Sequence, residues 1–156
     1  MQKRGLEIGS QAPDFSLKDQ NGDEFKLSNY KGKKILLSFH PLAWTSICSK
    51  QMLSLEENYN KFLELNTIPV GVSVDPVPSK KGLGQKNLQL KNLKILSDFW
   101  PHGKVAKLFN IFREEDGFSE RANIIIDEEG KIVFFKIYPI RELPDINEII
   151  EFLSNK

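Results

Sequence analysis

Apolar and polar positions change period along this 156-residue chain, and each change marks an element. Phe15-Ser16-Leu17-Lys18 and Glu24-Phe25-Lys26-Leu27 alternate apolar with polar, and Asn21-Gly22 lies between them. That pattern predicts a β-hairpin. Ile35-Leu36-Leu37-Ser38-Phe39 is a nearly unbroken apolar run, as in a strand buried on both faces. Pro41 disfavours its continuation and holds His40 extended. From Cys48 the period becomes helical: Cys48, Met52, Leu55, Tyr59 and Phe62 recur at spacings of four, three, four and three. One helix to about Leu65 is predicted. Pro69 to Asp75 is a second buried strand. Strand, helix, strand without a hairpin turn is a βαβ unit, so the two strands should be parallel with a right-handed crossover.

Farther along, Ser79 to Leu90 reads as helical, weakened by Gly82 and Gly84. Leu93 to Leu96 is a short strand, and Lys104 to Phe109 a short helix. Ala122 to Ile126 and Lys131 to Ile137 flank Asp127-Glu128-Glu129-Gly130, a second hairpin. A last amphipathic helix carries Ile146, Ile149, Ile150 and Leu153 on one face, and Asp145 with Glu148 fits a capping box. The elements predict an α/β fold: a mixed central sheet, helices on both faces and an N-terminal β-hairpin. Length and a balance of 40% hydrophobic to 28% charged residues fit a single domain over 1–156.

Composition removes several functions. A net charge of +1 gives no reason to expect nucleic acid or an anionic membrane as partner. No apolar stretch approaches a transmembrane length. The basic N-terminus, Met1 to Arg4, is followed by no apolar signal core, so a cytoplasmic location is expected. His40, His102 and Cys48 lack ligand spacing, so neither a metal nor another cofactor is expected. The lone cysteine forbids a disulfide within the chain and removes a Cys-x-x-Cys oxidoreductase.

That cysteine is the main chemical candidate. It lies where a strand gives way to a helix, with Thr45 and Ser46 just before it. If either residue caps the helix, Cys48 falls at the second or third helical position, where unpaired backbone N–H groups favour negative charge on sulfur. The thiolate is the nucleophilic form. Against this, Cys48 is in phase with the apolar face, and free cysteine is commonly an inert core residue. Spacing alone leaves both readings open. Taken singly, Thr45 reads as an N-cap and Pro41 as a strand terminator.

Pro41-Leu42-Ala43-Trp44-Thr45-Ser46-Ile47-Cys48 resembles the peroxiredoxin signature P-x-x-x-T-x-x-C. Ala12 to Leu17 resembles the family's opening, Val72 to Asp75 its second core strand, and Leu96-Ser97-Asp98 its third. Arg121 to Asp127 resembles the strand that carries the family's arginine. Pro41-Leu42-Ala43 and Leu96 to Gly103 are most similar to the AhpE-type one-cysteine branch. The resemblance implies a thioredoxin-like fold and thiol-dependent reduction of hydrogen peroxide and organic hydroperoxides. Cys48 would be the peroxidatic cysteine. Thr45 would hydrogen-bond sulfur and peroxide, Arg121 would stabilise the thiolate and hold the peroxide oxygens, and Pro41 would shield the sulfur from water. With no resolving cysteine, the sulfenic acid must be resolved by an external thiol or a thioredoxin- or glutaredoxin-like reductant. A homodimer is implied as well.

Other features carry weaker expectations. Gln51 is expected on the surface, with orientation of Arg121 as the alternative. Lys80-Lys81 is expected to be solvated, and Ser119-Glu120 to be loop. Trp44, Phe99 and Trp100 fit a site rim, a dimer contact or core equally well, and His102 fits a helix cap or an exposed position. Two further functions stay open beside the peroxidase: a non-catalytic peroxide sensor that passes oxidation to a client by thiol exchange, and a holdase-like or binding module with an inert Cys48.

Overall fold

The computed structural model describes residues 4–155. Ser16–Lys18 (β1) pairs antiparallel with Glu24–Lys26 (β2), and Gly22 takes φ +82° in the connecting turn. Lys34–Phe39 (β3) is buried from Ile35 to Phe39, as its apolar run predicts. It lies parallel to Thr67–Ser73 (β4), which lies parallel to Lys94–Ser97 (β5). Arg121–Ile126 (β8) pairs antiparallel with β3 and with Ile132–Tyr138 (β9). The order β2-β1-β5-β4-β3-β8-β9 makes one seven-stranded mixed sheet. Its antiparallel pairs lie at both edges, because the N-terminal hairpin joins β5 through Lys18 and Ser97.

The expected helix after β3 forms as two pieces, Ser46–Glu57 (α1) and Tyr59–Glu64 (α2). The break is at Asn58 (φ −102°, ψ 12°), whose side-chain amide donates to the Ser54 carbonyl at 2.8 Å. Asparagine competes for the helix ladder in this way. Val77–Lys81 (α3) starts earlier than its periodicity suggested and widens into a π-helix over Gly82–Asn87. Lys104–Leu108 (α4) matches expectation. A short hairpin of two-residue strands, Phe112–Arg113 (β6) with Phe118–Ser119 (β7), has no counterpart in the apolar pattern; Ser119 is a strand residue rather than loop. The last helix, Ile146–Ser154 (α5), is capped by the Asp145 carboxylate, which accepts the Asn147 N–H. The reciprocal half of the expected capping box is absent. Glu148 instead accepts from Lys136 Nζ and Tyr138 OH, each at 2.7 Å.

Strand alternation divides the core in two. Leu36 and Ile125 pack with Met52, Leu55, Phe62, Leu83 and Ile149, so α1, α2, the π-helix and α5 cover one face. Ile35, Leu37, Phe39 and Ile124 pack with Val105 and Phe109, so α4 covers the other. A Cβ at Gly71 of β4 would collide with Met52 Sδ of α1, so this glycine sets how closely α1 lies on the sheet. The result is the thioredoxin-like α/β arrangement expected from the sequence. No helix among the described residues is long and apolar enough to cross a membrane.

Candidate active site

The β3–β8 register assembles the site. Ser38 stands opposite Asn123, and Phe39 opposite Ala122. Continued by one residue, it sets His40 opposite Arg121, where the His40 N–H still donates to the Val72 carbonyl at 3.0 Å. A period of two then puts Ser38, Arg121 and Asn123 on the face that α1 covers, alongside Leu36 and Ile125.

Helix α1 supplies the thiol. Thr45 has the extended N-cap conformation, and Ser49 donates the first helical bond, to the Thr45 carbonyl at 2.9 Å. Cys48 is therefore the third helical residue, within the turn whose N–H groups precede the ladder. Its side chain is 1% exposed. Arg121 Nη1 reaches Cys48 Sγ at 3.4 Å and donates to Gln51 Oε1 at 2.7 Å. Arg121 Nε donates to the Ile140 carbonyl at 2.9 Å. The guanidinium is thus aimed by partners on two sides while it faces the sulfur.

Gln51 is buried, which corrects the expected surface position and realises the alternative. Its amide nitrogen donates to Ser38 Oγ at 2.6 Å and to the Phe39 carbonyl at 3.2 Å, leaving the amide oxygen for Arg121. Ser38 in turn donates to Asn123 Oδ1 at 2.7 Å, and Asn123 Nδ2 donates to Tyr138 OH at 3.4 Å. Tyr138 donates to Glu148, so a polar chain runs from the thiol to the surface. Burial and the bond to Glu148 push the Tyr138 phenol well above its usual range. The signal for Gln51 was its spacing: three residues after Cys48, it shares the helical face of Cys48, Met52 and Leu55.

Thr45 and Pro41 lie beside the sulfur in the chain but differ in surroundings. Pro41 is buried. Thr45 is exposed, and its hydroxyl donates to the Leu42 carbonyl at 3.1 Å, so it makes no side-chain cap and no bond to the thiol in this state. Both line a cleft of about 330 Å³ with Leu42, Ile47, Phe118 and Ile140, and Arg121 forms part of its wall. The lining is largely apolar. Another apolar cavity, of about 380 Å³, lies at the other end of β3 around Ile35, Ile126 and Tyr30, remote from Cys48.

The loop before α1 is pinned from β4. Asp75 Oδ2 accepts the Ala43 N–H at 2.7 Å and the Ser73 hydroxyl at 2.6 Å. Trp44 takes φ +72°, uncommon for a bulky residue, and its indole N–H donates to Ser79. Trp44, Phe99 and Trp100 are 50%, 46% and 81% exposed, which removes the core reading for all three. His102 is exposed and hydrogen-bonds the Gly117 carbonyl, while Gly103 takes the N-cap of α4. Lys80 is fully buried, contrary to the expected solvated pair; Lys81 is exposed. Among the described residues no cluster of side chains could hold a metal ion.

A thioredoxin-like sheet that presents a buried cysteine in the first turn of a helix, against an arginine from the neighbouring antiparallel strand, defines a peroxiredoxin-type thiol centre. The chain belongs to the AhpC/TSA family, whose pattern matches residues 8–135. It is 35% identical over 141 residues to alkyl hydroperoxide reductase E of Mycobacterium tuberculosis, covering 90% of this chain and 91% of that protein. It is 33% identical over 134 residues to peroxiredoxin Bcp of Bacillus subtilis, covering 82% and 83%. Among solved structures, AhpC of Enterococcus faecalis superposes with a TM-score of 0.88 at 22% identity, covering 95% of this chain and 90% of that one. Peroxidoxin BcpB of M. tuberculosis gives 0.83 at 24% identity, with 98% of each chain covered. At those identities the structural likeness speaks for the fold alone.

Proposed function

We propose that the protein is a one-cysteine thiol peroxidase acting through Cys48 on hydrogen peroxide and organic hydroperoxides. The observation that carries this reading is the contact of Arg121 Nη1 with Cys48 Sγ at 3.4 Å, inside the first turn of α1. The cation and the unpaired amides stand where the negative charge of a thiolate sits. The thiolate attacks the distal peroxide oxygen; an S–O bond forms and the O–O bond breaks. Sulfur is oxidised by two electrons and the peroxide is reduced by two. With one proton delivered to the leaving oxygen, thiolate and hydroperoxide become sulfenic acid and alcohol. Arg121 faces the charge as it moves from sulfur to the leaving oxygen. Thr45, at the cleft mouth, orients the peroxide once its hydroxyl turns from Leu42. Pro41 keeps water from the sulfur. The apolar cleft suits the organic part of a hydroperoxide.

Among the described residues no second thiol exists to resolve the sulfenic acid. An external thiol or a thioredoxin- or glutaredoxin-like protein closes the cycle by mixed disulfide and exchange, in a reducing cytoplasm. Residues 1–156 act as one domain, a reading supported by the single large sheet. The decisive experiment follows peroxide in solution. Without thiol, about one equivalent is consumed per chain; with a suitable thiol, consumption continues for many turnovers. One equivalent with every thiol tried would favour the sensor instead, although the named relatives are reductases and peroxiredoxins. Pairing of two copies would cover exposed Phe99 and Trp100. Sedimentation should then show a dimer that Trp100→Glu converts to monomer; a monomeric wild type refutes the pairing.

A further inference from the structure

The peroxidase chemistry leaves one buried pair of titratable groups unused. His40, just after β3, and Lys80, in α3, are both fully buried, and Lys80 Nζ stands 3.2 Å from His40 Nε2. Buried lysines ordinarily lie against a carboxylate. Among the described residues no carboxylate comes within ion-pair distance of Lys80. Two acids face it from a distance, Asp75 after β4 and Asp98 after β5. The Asp75 carboxylate accepts from the Ala43 N–H and the Ser73 hydroxyl, and Asp98 accepts the N–H groups of Val105 and Ala106. Through His40, which the β3–β8 register sets opposite Arg121, Lys80 adjoins the cation that touches Cys48 Sγ. His40 faces Lys80, Arg121 and the Ser38 backbone, and its Nδ1 has no hydrogen-bond partner.

Two bases in contact need one proton between them to make a hydrogen bond. Burial, with Lys80 and Arg121 adding to it and the Ser38 backbone opposing, holds the imidazole neutral, well below its usual range. The ring therefore accepts, and the charge sits on Lys80. Burial also lowers the Lys80 ammonium to about 7, although Asp75, Cys48 and Asp98 work to raise it. Cysteine oxidation would act on the same balance, because a neutral sulfenic acid no longer favours the ammonium.

We propose that Lys80, held by His40, is a second positioning cation that stabilises the Cys48 thiolate alongside Arg121. The inference rests on the peroxidase reading above. Arg121 touches the sulfur and stays charged, whereas Lys80 acts through the low-dielectric interior and can be discharged.

Lys80→Met tests this, with oxidation by hydrogen peroxide followed in stopped-flow by tryptophan fluorescence. The variant should oxidise about ten-fold more slowly near pH 6. The gap should close to about two-fold near pH 9, where wild-type Lys80 has also lost its charge. Urea unfolding gives a second readout. The folded Lys80 releases its proton near 7 and the unfolded one near 10.4, so the unfolded state binds the extra proton between them. Wild-type stability should therefore rise with pH across that window, and Lys80→Met should lack the rise while being at least as stable at pH 7. His40→Gln, which keeps a carbonyl acceptor for Lys80, should keep most of the wild-type rate. His40→Phe should behave like Lys80→Met. A Lys80→Met rate equal to wild type at every pH, or a slowing of the same size at both pH values, overturns the proposal. A wild type that gains no oxygen by mass on peroxide treatment overturns the peroxidase reading and this inference together, a result distinct from an active wild type matched by its variant.

Discussion

Cys48→Ser should abolish peroxide consumption, lowering the second-order rate by at least about four orders of magnitude, to the buffer background. The size follows from the nucleophile. A serine hydroxyl at neutral pH supplies almost no anion, and nothing in the site is a strong base placed to remove its proton: Arg121 is a permanent cation and Gln51 is an amide. The substitution is nearly isosteric at a side chain 1% exposed, and the hydroxyl can still accept from Arg121. The stability cost should be about 1 kcal/mol, so the lost activity reports chemistry rather than unfolding. A peroxide electrode and a urea melt check both halves. A residual rate above about a hundredth of wild type would remove Cys48 as the nucleophile.

Arg121→Met should slow the oxidation of Cys48 by about 10²- to 10³-fold, equivalent to about 3–4 kcal/mol of transition-state stabilisation. The guanidinium does three things at once: it faces Sγ, occupies Gln51 Oε1 and bonds the Ile140 carbonyl. Methionine supplies none of these donors. It also leaves the Gln51 amide oxygen buried without its partner, which costs about 1–3 kcal/mol of stability. Arg121→Lys should recover only part of the rate, because a point charge on a flexible stem cannot fill the planar fork. Stopped-flow oxidation well below each variant's melting point separates the two effects. A rate within about three-fold of wild type for Arg121→Met would take Arg121 out of the reaction.

The parts of the fold that were legible are those where local pattern and tertiary environment agree. Ile35 to Phe39 reads as a doubly buried strand and is one, and Asp127 to Gly130 turns between the strands its composition separates. The departures share a cause. Asn58 interrupts a helix whose apolar period runs on unbroken, because a side-chain hydrogen bond does not alter hydrophobic spacing. Glu148 leaves its capping box because β9 brings Lys136 and Tyr138 within reach. Adjacent Lys80 and Lys81 are alike as residues. Only the packing of α3 against the sheet turns one inward and leaves the other in solvent.

For the site itself, the sequence alone determined the candidate nucleophile and its position in a helical first turn, since both depend on neighbours within a few residues. It reads Gln51 as a surface residue, because an isolated glutamine carries no sign of burial even three residues after Cys48. Resemblance to a family, not spacing, nominated Arg121, which is separated from Cys48 by 73 residues. The tertiary structure decided the rest: the antiparallel register of β3 and β8 that brings Arg121 to the sulfur, the amide that aims it, and the Lys80–His40 pair in the interior. These are pairings between strands and helices distant in the chain. Such contacts depend on register and on which face is buried, and both are set when the sheet closes rather than by any local run of residues.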